Sequence, residues 1–272
     1  MPAPAPEPVP AAPVATTAVP VSALERLTGD PEAFGRAWPE EPVVYARRPA
    51  ELAALLDAAA VRRIAAEPAL RPVAMGMVRE GVIDPRRPDP DDPTSTLVLH
   101  GLHLTWPPLT AFCDRLAAQL GHPVTANAYR TPRRARGHGP HRDTHHLFFA
   151  QTHGAKVWRL SGPLRADPPG GDPWTVVGRT SQRLSRAADM PDLEVELTAG
   201  NVLFVPRGWA HHGYTGSRSS LHITFGVQAP TRFRLVQQLL RHAMADPRLR
   251  AALPPGPAGA GPDALAAQGP GR

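Results

Sequence analysis

The residues of this chain best suited to chemistry are histidines that stand at a spacing typical of metal ligands. His141 and Asp143 form a His-x-Asp pair, and His211 follows seventy residues later. Two neutral imidazoles and one carboxylate are the ligands that hold Fe(II) on one face of an octahedron and leave three positions open. In an extended turn residues i and i+2 point to the same side, so His141 and Asp143 can grip one ion. A His-x-Asp pair in a surface turn is the alternative, because this short pattern also arises by chance.

A single lysine stands fifteen residues after His141. Of the 30 basic residues 29 are arginine, and the one lysine is Lys156, on the next apolar strand. An ammonium group that faces the interior of a barrel needs an anionic partner, and the distal carboxylate of 2-oxoglutarate would supply one. The alternative is a lysine whose charged end reaches solvent.

Two further segments must position these residues. Pro206 and Gly208 end a strand and turn the chain just before His211, which places this histidine at the mouth of a barrel. Residues 219–227 alternate as a strand does, with His222 and Thr224 on one face. We interpret His222 as structural, because the set of three ligands is complete without it.

The surrounding pattern predicts a body of short strands with a few helices. Helices are expected to start at Asp30-Pro31 and at Pro49, the second with Leu52, Leu55, Leu56 and Ala59 on one face. Further helices are expected over 107–121 and 231–246, with an exposed loop over 85–93. Strands are predicted over 97–104, 123–130, 146–151, 155–160, 174–178, 193–197, 201–205 and 219–228. Many short strands separated by turn residues indicate a sandwich or a barrel.

Composition limits the remaining classes. The chain has 272 residues, 42% of them hydrophobic, a net charge of +6 and one cysteine, which excludes a disulfide framework and a Cys-based zinc cluster. It contains no apolar run long enough for a membrane span and no recognisable signal peptide, so we expect a cytoplasmic protein. Residues 1–20 and 253–272 are rich in Pro with Ala or Gly and are expected to be disordered. Direct nucleic-acid binding is not expected, since the arginines at 130–136 are interpreted as a solvated loop.

Together these motifs resemble the JmjC and cupin-type Fe(II)/2-oxoglutarate oxygenases, in particular the ribosomal-oxygenase branch. The residues that match the motifs of that branch are Asn127, Tyr129, Thr131, Pro132, Gly137, Pro140, His141, Asp143, Gly154, Lys156, Trp158, Arg159, Pro206, Arg207, Gly208, His211, Ser220, His222 and Thr224. The segment DPEAFGRAWPEEPVVYARR is also similar to the opening of the family, and the match covers roughly 30–230.

The resemblance implies a mainly β fold with flanking helices, a double-stranded β-helix of jelly-roll type. It implies an oxygenase domain over 21–230, including the N-terminal helices, followed by a C-terminal helix over 231–252. Fe(II) would be bound by His141, Asp143 and His211, and Lys156 would pair with the C5 carboxylate of 2-oxoglutarate. The residues expected to contact the cosubstrate in addition are Tyr129, Asn127 and Thr224, with ordinary strand packing as the alternative for the first two.

The implied reaction is hydroxylation by O2 at a β-carbon of a peptide or protein side chain. Two alternatives stay open: the same chemistry on a free amino acid or small natural product, and a cupin-like module that binds metal without turnover. Substrate identity, the oligomeric state and the role of the 164–190 loop are left open. His145, His146 and His212 lie near the motifs and are candidate contacts of a substrate.

Overall fold

A computed structural model describes residues 21–35, 37–163, 168–169 and 189–252. The predicted strand at 174–178 and the predicted disordered ends at 1–20 and 253–272 lie outside these residues. The chain divides into two units, Met1–Ala229 and Pro230–Arg272.

The first unit is built on antiparallel strands. In chain order the described strands are β1 (Val43–Ala46), β2 (Ala74–Arg79), β3 (Val82–Asp84), β4 (Thr96–His100), β5 (Val124–Thr131), β6 (His141–Arg142), β7 (His146–Pro163), β8 (Leu193–Thr198), β9 (Asn201–Val205), β10 (Trp209–Tyr214) and β11 (Ser220–Val227). A major sheet has the order β1-β9-β7-β11-β5-β4-β2-β3, and β7 also pairs with β8 and β10, the latter paired with β6. The predicted β fold of jelly-roll type is confirmed.

Strand β7 belongs to both sheets because it bends at Gly154. Residues 146–154 pair with β11 and part of this stretch with β9, whereas residues from 155 onward pair with β8 and β10. Gly154 has a φ of +66°, and a side chain there would run into the main-chain oxygen of Ser219. Only glycine takes this conformation without strain, so the segments predicted as two strands form one bent strand.

Short helices cover the outer face of the major sheet. They are α1 (Ala23–Thr28), α2 (Pro49–Ala53), α3 (Ala58–Ala66) and α4 (Pro107–Leu120), with 3-10 turns at Pro68–Leu70 and Leu102–Leu104. The predicted helix over 107–121 is confirmed, and Gly121 ends it with a φ of +70°. Because of this cover, the outer face of the sheet forms the larger of two apolar cores, with Phe112, Phe148 and Phe225 among its buried members. A smaller core lies between the two sheets around Phe149, Trp158 and Leu203.

Three predicted elements need correction. The helix expected at Asp30-Pro31 is wrong: residues 31–35 form turns, and the helix lies before them. Ser22 accepts a hydrogen bond from the Glu25 amide and Glu25 accepts one from the Ser22 amide, a capping box that starts α1. The helix expected from Pro49 to Ala59 ends at Ala53, and the Asp57 side chain caps a new one.

The third correction concerns the strand predicted over 97–104. Strand β4 ends at His100, because Gly101 takes a φ of +73° and turns the chain into the 3-10 segment.

Of the helix face predicted after Pro49, Leu52, Leu55 and Leu56 are buried, whereas Ala59 is exposed.

The second unit contains α5 (Arg232–Ala243) and α6 (Pro247–Arg250). The predicted helix over 231–246 is therefore confirmed, although it ends three residues earlier. Its apolar side chains Phe233, Val236, Leu239 and Leu240 are each at least half exposed. Among the described residues, each helix is too short or too polar to span a bilayer.

Candidate functional site

Strand pairing brings the predicted metal ligands together. β6 and β10 are antiparallel neighbours in which His141 lies opposite His211 and Arg142 opposite Ala210. Asp143 follows β6 directly, and its main-chain oxygen accepts a hydrogen bond of 2.8 Å from the Gly208 amide. Residues paired across two strands project to the same face, so the two imidazoles and the carboxylate meet at one point.

The three side chains present one potential ligand atom each, and these atoms lie within 4.8 Å of one another. Asp143 Oδ2 is 3.8 Å from His141 Nε2 and 3.4 Å from His211 Nε2. The rings of His141 and His211 have centroids 4.4 Å apart. A small shift of these side chains would place all three atoms about 2 Å from one metal ion, which is a typical metal–ligand bond length.

The hydrogen bonds of the two histidines fix their tautomers. His141 Nδ1 donates to the Gly139 carbonyl at 2.7 Å, and His211 Nδ1 donates to the Trp209 carbonyl at 3.1 Å. A carbonyl oxygen only accepts, so each Nδ1 carries the hydrogen and each neutral ring keeps a lone pair on Nε2. Such second-shell bonds orient metal-binding histidines, and here both lone pairs lie beside the carboxylate.

The charge states also suit a cation. Burial opposes ionisation of Asp143, but its interactions with His211 and His141 prevail and hold its pKa well below the ordinary value. Burial, followed by the effect of His211, lowers the pKa of His141 to about 3. At neutral pH the site therefore offers an ionised carboxylate and a neutral imidazole, the forms that bind metal.

A pocket of about 380 Å³, part of it open to solvent, extends from these ligands into the space between the sheets. Its wall consists of Tyr129, Gly137, His138, His141, Asp143, Phe149, Lys156, Trp158, His211, Gly213, His222 and Thr224. This wall combines aromatic side chains with a few polar and charged ones, which is typical of pockets for small molecules.

Lys156 lies at the inner end of the pocket and is 2% exposed, so the alternative of a lysine that reaches solvent is wrong. Its Nζ donates to Thr131 Oγ1 at 3.2 Å and lies 4.9 Å from the centre of the Trp158 ring. Burial lowers the pKa of this amine to about 7. Among the described residues no carboxylate pairs with it, so the amine is prepared for an anion from outside the chain.

Several polar atoms of the pocket wall have no partner within the described part of the chain. They are Thr224 Oγ1, His222 Nδ1 and Trp158 Nε1, and all are buried. Buried polar groups are nearly always hydrogen-bonded in folded proteins. Together with Lys156, these atoms fit a polar, anionic cosubstrate such as 2-oxoglutarate that reaches from the metal ligands to the amine.

The remaining predicted contacts divide in two groups. Tyr129 and Thr224 belong to the pocket wall. Asn127 lies beside it, where its Oδ1 accepts a hydrogen bond from the Gly101 amide at 2.9 Å and its side chain bonds to the Tyr129 hydroxyl. Asn127 therefore supports the pocket through Tyr129. His222 stacks on Tyr129 with ring centroids 5.0 Å apart and closes the pocket floor.

The three neighbouring histidines take different places. His145 lies against Gly226, where its ring occupies the position that a larger side chain would need. His146 is buried and stacks on Trp38. His212 lies opposite Arg159 across the β10–β7 pair, next in the chain to His211 and so on the other face of β10.

Sequence reasoning missed His138, Gly137 and Gly213 as parts of the pocket. His138 lies in its wall, and burial together with His100 and Lys156 lowers its pKa to about 4. A Cβ on Gly137 would lie 3.1 Å from Lys156 Nζ, and one on Gly213 would lie 2.7 Å from Lys156 Cε. The two glycines were visible in the sequence, but only the pairing of strands shows that they flank the lysine.

A rolled antiparallel sheet with two histidines and a carboxylate at its mouth defines the class of double-stranded β-helix proteins. Residues 103–235 match the family model of the JmjC domain. This part of the chain is therefore similar to JmjC domains, in line with the resemblance that the motifs predicted.

Relatives with curated descriptions match about half of the chain. One is the bifunctional lysine-specific demethylase and histidyl-hydroxylase NO66 of Drosophila persimilis, 33% identical over 134 residues, which are 48% of this chain and 18% of that protein. Its counterpart in Caenorhabditis briggsae is 29% identical over 134 residues, 48% of this chain and 17% of that protein. The match spans less than a fifth of the length of these relatives.

Solved structures extend the likeness of fold to most of the chain. The structure of YcfD from Escherichia coli has a TM-score of 0.57 at 18% identity, and the match covers 87% of this chain and 64% of YcfD. A further structure, described as the ribosomal oxygenase YcfD in complex with cobalt and 2-oxoglutarate, has a TM-score of 0.56 at 17% identity and covers 87% and 63%. At this identity the likeness concerns the fold.

Proposed function

We propose that this chain is a 2-oxoglutarate-dependent dioxygenase that uses Fe(II) and O2 to hydroxylate a side chain of a peptide or protein. The observation that carries the proposal is the single pocket in which three ligand atoms within 4.8 Å of one another and the buried amine of Lys156 are joined by unpaired polar groups. The names of the relatives support it, since NO66 is described as a histidyl-hydroxylase and YcfD as a ribosomal oxygenase. A cytoplasmic location is part of the same proposal.

Each residue has a defined task in this proposal. When bound, Fe(II) with 2-oxoglutarate and O2 supplies an oxidant that inserts oxygen into a C–H bond while 2-oxoglutarate becomes succinate and CO2. His141, Asp143 and His211 would hold the metal beside the pocket that Lys156 shares with them. Lys156 and Thr131 bind the distal carboxylate. The rings of Phe149 and Trp158 stack with centroids 4.0 Å apart. They form an apolar part of the pocket wall and exclude water from it.

The substrate enters from the open side of the pocket, because Lys156 closes the inner end. His138 in the pocket wall and His145 near Asp143 are both partly exposed, and burial keeps them neutral at pH 7 by lowering their pKa values. They offer hydrogen bonds to a polar substrate side chain without adding charge beside the metal. A side chain presented by an extended peptide would reach the metal past them.

The test is turnover with a matched pair of variants. The full chain is incubated with Fe(II), 2-oxoglutarate, ascorbate and a peptide library that includes ribosomal-protein sequences. We expect succinate release and a peptide mass gain of one oxygen. His211→Ala should abolish both, whereas His212→Ala, one residue away on the other face of β10, should retain them.

The outcome also separates the alternatives. A mass gain on a free amino acid and on no peptide would replace the protein substrate by a small molecule. Metal binding without succinate release under any of these conditions would contradict the proposed reaction and leave a metal-binding module.

A further inference from the structure

The turn at Pro206–Trp209 connects two of the proposed metal ligands. The Trp209 amide donates to the Pro206 carbonyl at 3.4 Å, and Gly208, with a φ of +85°, takes the position that needs a glycine in such a turn. The Gly208 amide donates to the main-chain oxygen of Asp143 at 2.8 Å. His211 follows the turn by two residues, so the placement of the turn sets the distance between His211 and Asp143.

A second hydrogen bond fixes the same turn. The Arg207 amide donates to His146 Nδ1 at 3.3 Å, and this bond is buried. Two consecutive amides of the turn are therefore bound by the segment that carries Asp143, one by the main chain and one by an imidazole. Of the two acceptors, only the His146 imidazole belongs to a side chain.

His146 is itself held in a rigid frame. It is 5% exposed, and its ring stacks on Trp38 with centroids 4.4 Å apart and an interplanar angle of 19°. Phe204 packs against it with centroids 5.7 Å apart. Burial, followed by the positive charge of Arg207, lowers the pKa of His146 to about 4, so the ring is neutral and can accept a hydrogen bond at Nδ1.

The segment that carries Trp38 also binds the turn at its other end, through Trp209. The Trp209 indole nitrogen donates to the Glu40 carbonyl at 3.1 Å, two residues after Trp38. The segment around 38–40 therefore holds the turn both directly through Trp209 and through the stacked ring of His146.

From these contacts we infer that His146 is a positioning residue for the metal centre. It connects the packed ring of Trp38 to the turn that lies between Asp143 and His211. The inference rests on the metal centre of the proposed function. Loss of the acceptor would remove the buried hydrogen bond that His146 accepts from the Arg207 amide, and the turn would lose one of its two anchors. Groups that orient metal ligands typically change metal affinity by about 10–100-fold when removed.

The experiment measures Co(II) affinity of the metal-free full chain by calorimetry for several variants. His146→Leu removes the acceptor at similar volume and should weaken Co(II) binding about tenfold. His146→Asn places an amide oxygen where Nδ1 lies and should stay within about threefold of the wild type. His146→Gln moves the amide one methylene further out and should behave like the leucine variant, which keeps the test decisive if leucine prevents folding.

A control variant separates positioning from packing around the tryptophan. His122 lies on the same Trp38 ring with centroids 6.1 Å apart, so His122→Leu should leave the Co(II) affinity unchanged. Equal loss in His146→Asn and His146→Leu, or no loss in His146→Leu, would overturn the inference. Because Co(II) binding needs no 2-oxoglutarate and no substrate, absence of hydroxylase turnover would contradict the proposed function and leave this inference intact.

Discussion

The amine of Lys156 is almost fully buried, and this determines how the pocket responds to pH. Its pKa is lowered from 10.5 to about 7 by burial. A lysine in this state is partly neutral in the physiological range, and an anion that binds beside it restores the charge. The pocket therefore couples ligand binding to proton uptake.

At pH 8 we expect 2-oxoglutarate to bind with uptake of about one proton. In the free protein the Lys156 amine is mostly neutral above its pKa of about 7, and a bound carboxylate raises this pKa. The affinity for 2-oxoglutarate should therefore fall about tenfold per pH unit above pH 7, until the pH reaches the pKa of the amine in the bound state. Calorimetry in two buffers of different ionisation enthalpy checks the proton count. Lys156→Met should bind about 10–100-fold more weakly and without this pH dependence; proton uptake that persists in this variant would contradict the assignment.

The proximity of the candidate ligands could be predicted from the sequence because one short motif carries most of the geometry. His141 and Asp143 are two residues apart, and the strand register does bring His211 opposite His141. The contact of His146 with Trp38 could not be predicted, because a stacking pair more than 100 residues apart leaves no periodic signal. Asn127 is a third case: it was predicted as a contact of the cosubstrate, but it is not in the pocket wall, because its Oδ1 accepts a hydrogen bond from the Gly101 amide at the end of β4.

At the scale of elements, β10 forms the wall that faces Lys156. Gly213 lies opposite Trp158 across the β10–β7 pair, and a Cβ there would lie 2.7 Å from Lys156 Cε and 3.1 Å from the Trp158 ring. Because Gly213 has no side chain, it leaves the space that the Lys156 side chain occupies. A larger residue at this position would push against the side chains of Lys156 and Trp158.

Gly213→Ala should therefore displace Lys156 and raise the dissociation constant for 2-oxoglutarate at least tenfold, a change of about 1.4 kcal/mol. The matched control is Gly216→Ala three residues further on, where a Cβ would meet nothing within 4 Å. Titration of 2-oxoglutarate into the Co(II)-loaded protein measures both. Equal affinity of the two variants would show that the wall tolerates the added methyl group.

The elements that the sequence predicted best are those with a long apolar period. Helix α4 was recognised by its buried face and by Gly121, whereas β6 has only two residues and offers no period to detect. Strand β7 was divided at Gly154 because glycine normally marks a turn, although here its positive φ bends the strand without ending it. Helix α1 had a detectable signal, the capping box of Ser22 and Glu25, that was overlooked.

At the scale of the whole molecule, every residue of the pocket wall belongs to the first of the two units. The buried residues of the two cores all belong to that unit, so we expect its fold and its candidate metal ligands not to depend on the residues after Ala229. The arrangement predicts independent folding of the first unit.

A chain that ends at Ala229 should therefore keep its circular dichroism spectrum and bind Co(II) with an affinity within about threefold of the full chain. Both are measured on the same preparation, with the full chain as reference. A much weaker Co(II) affinity with an unchanged spectrum would mean that residues after 229 take part in the site.

The only lysine of the chain is enclosed in the pocket, and this makes the protein a natural single-site reporter. Reagents that acylate amines can modify only the amino terminus and Lys156, and an amine with a pKa of about 7 is nucleophilic at neutral pH. A ligand seated over Lys156 shields it from the reagent. The fraction of protein that carries a second adduct in an intact-mass spectrum would then count vacant pockets directly, without any assay of turnover.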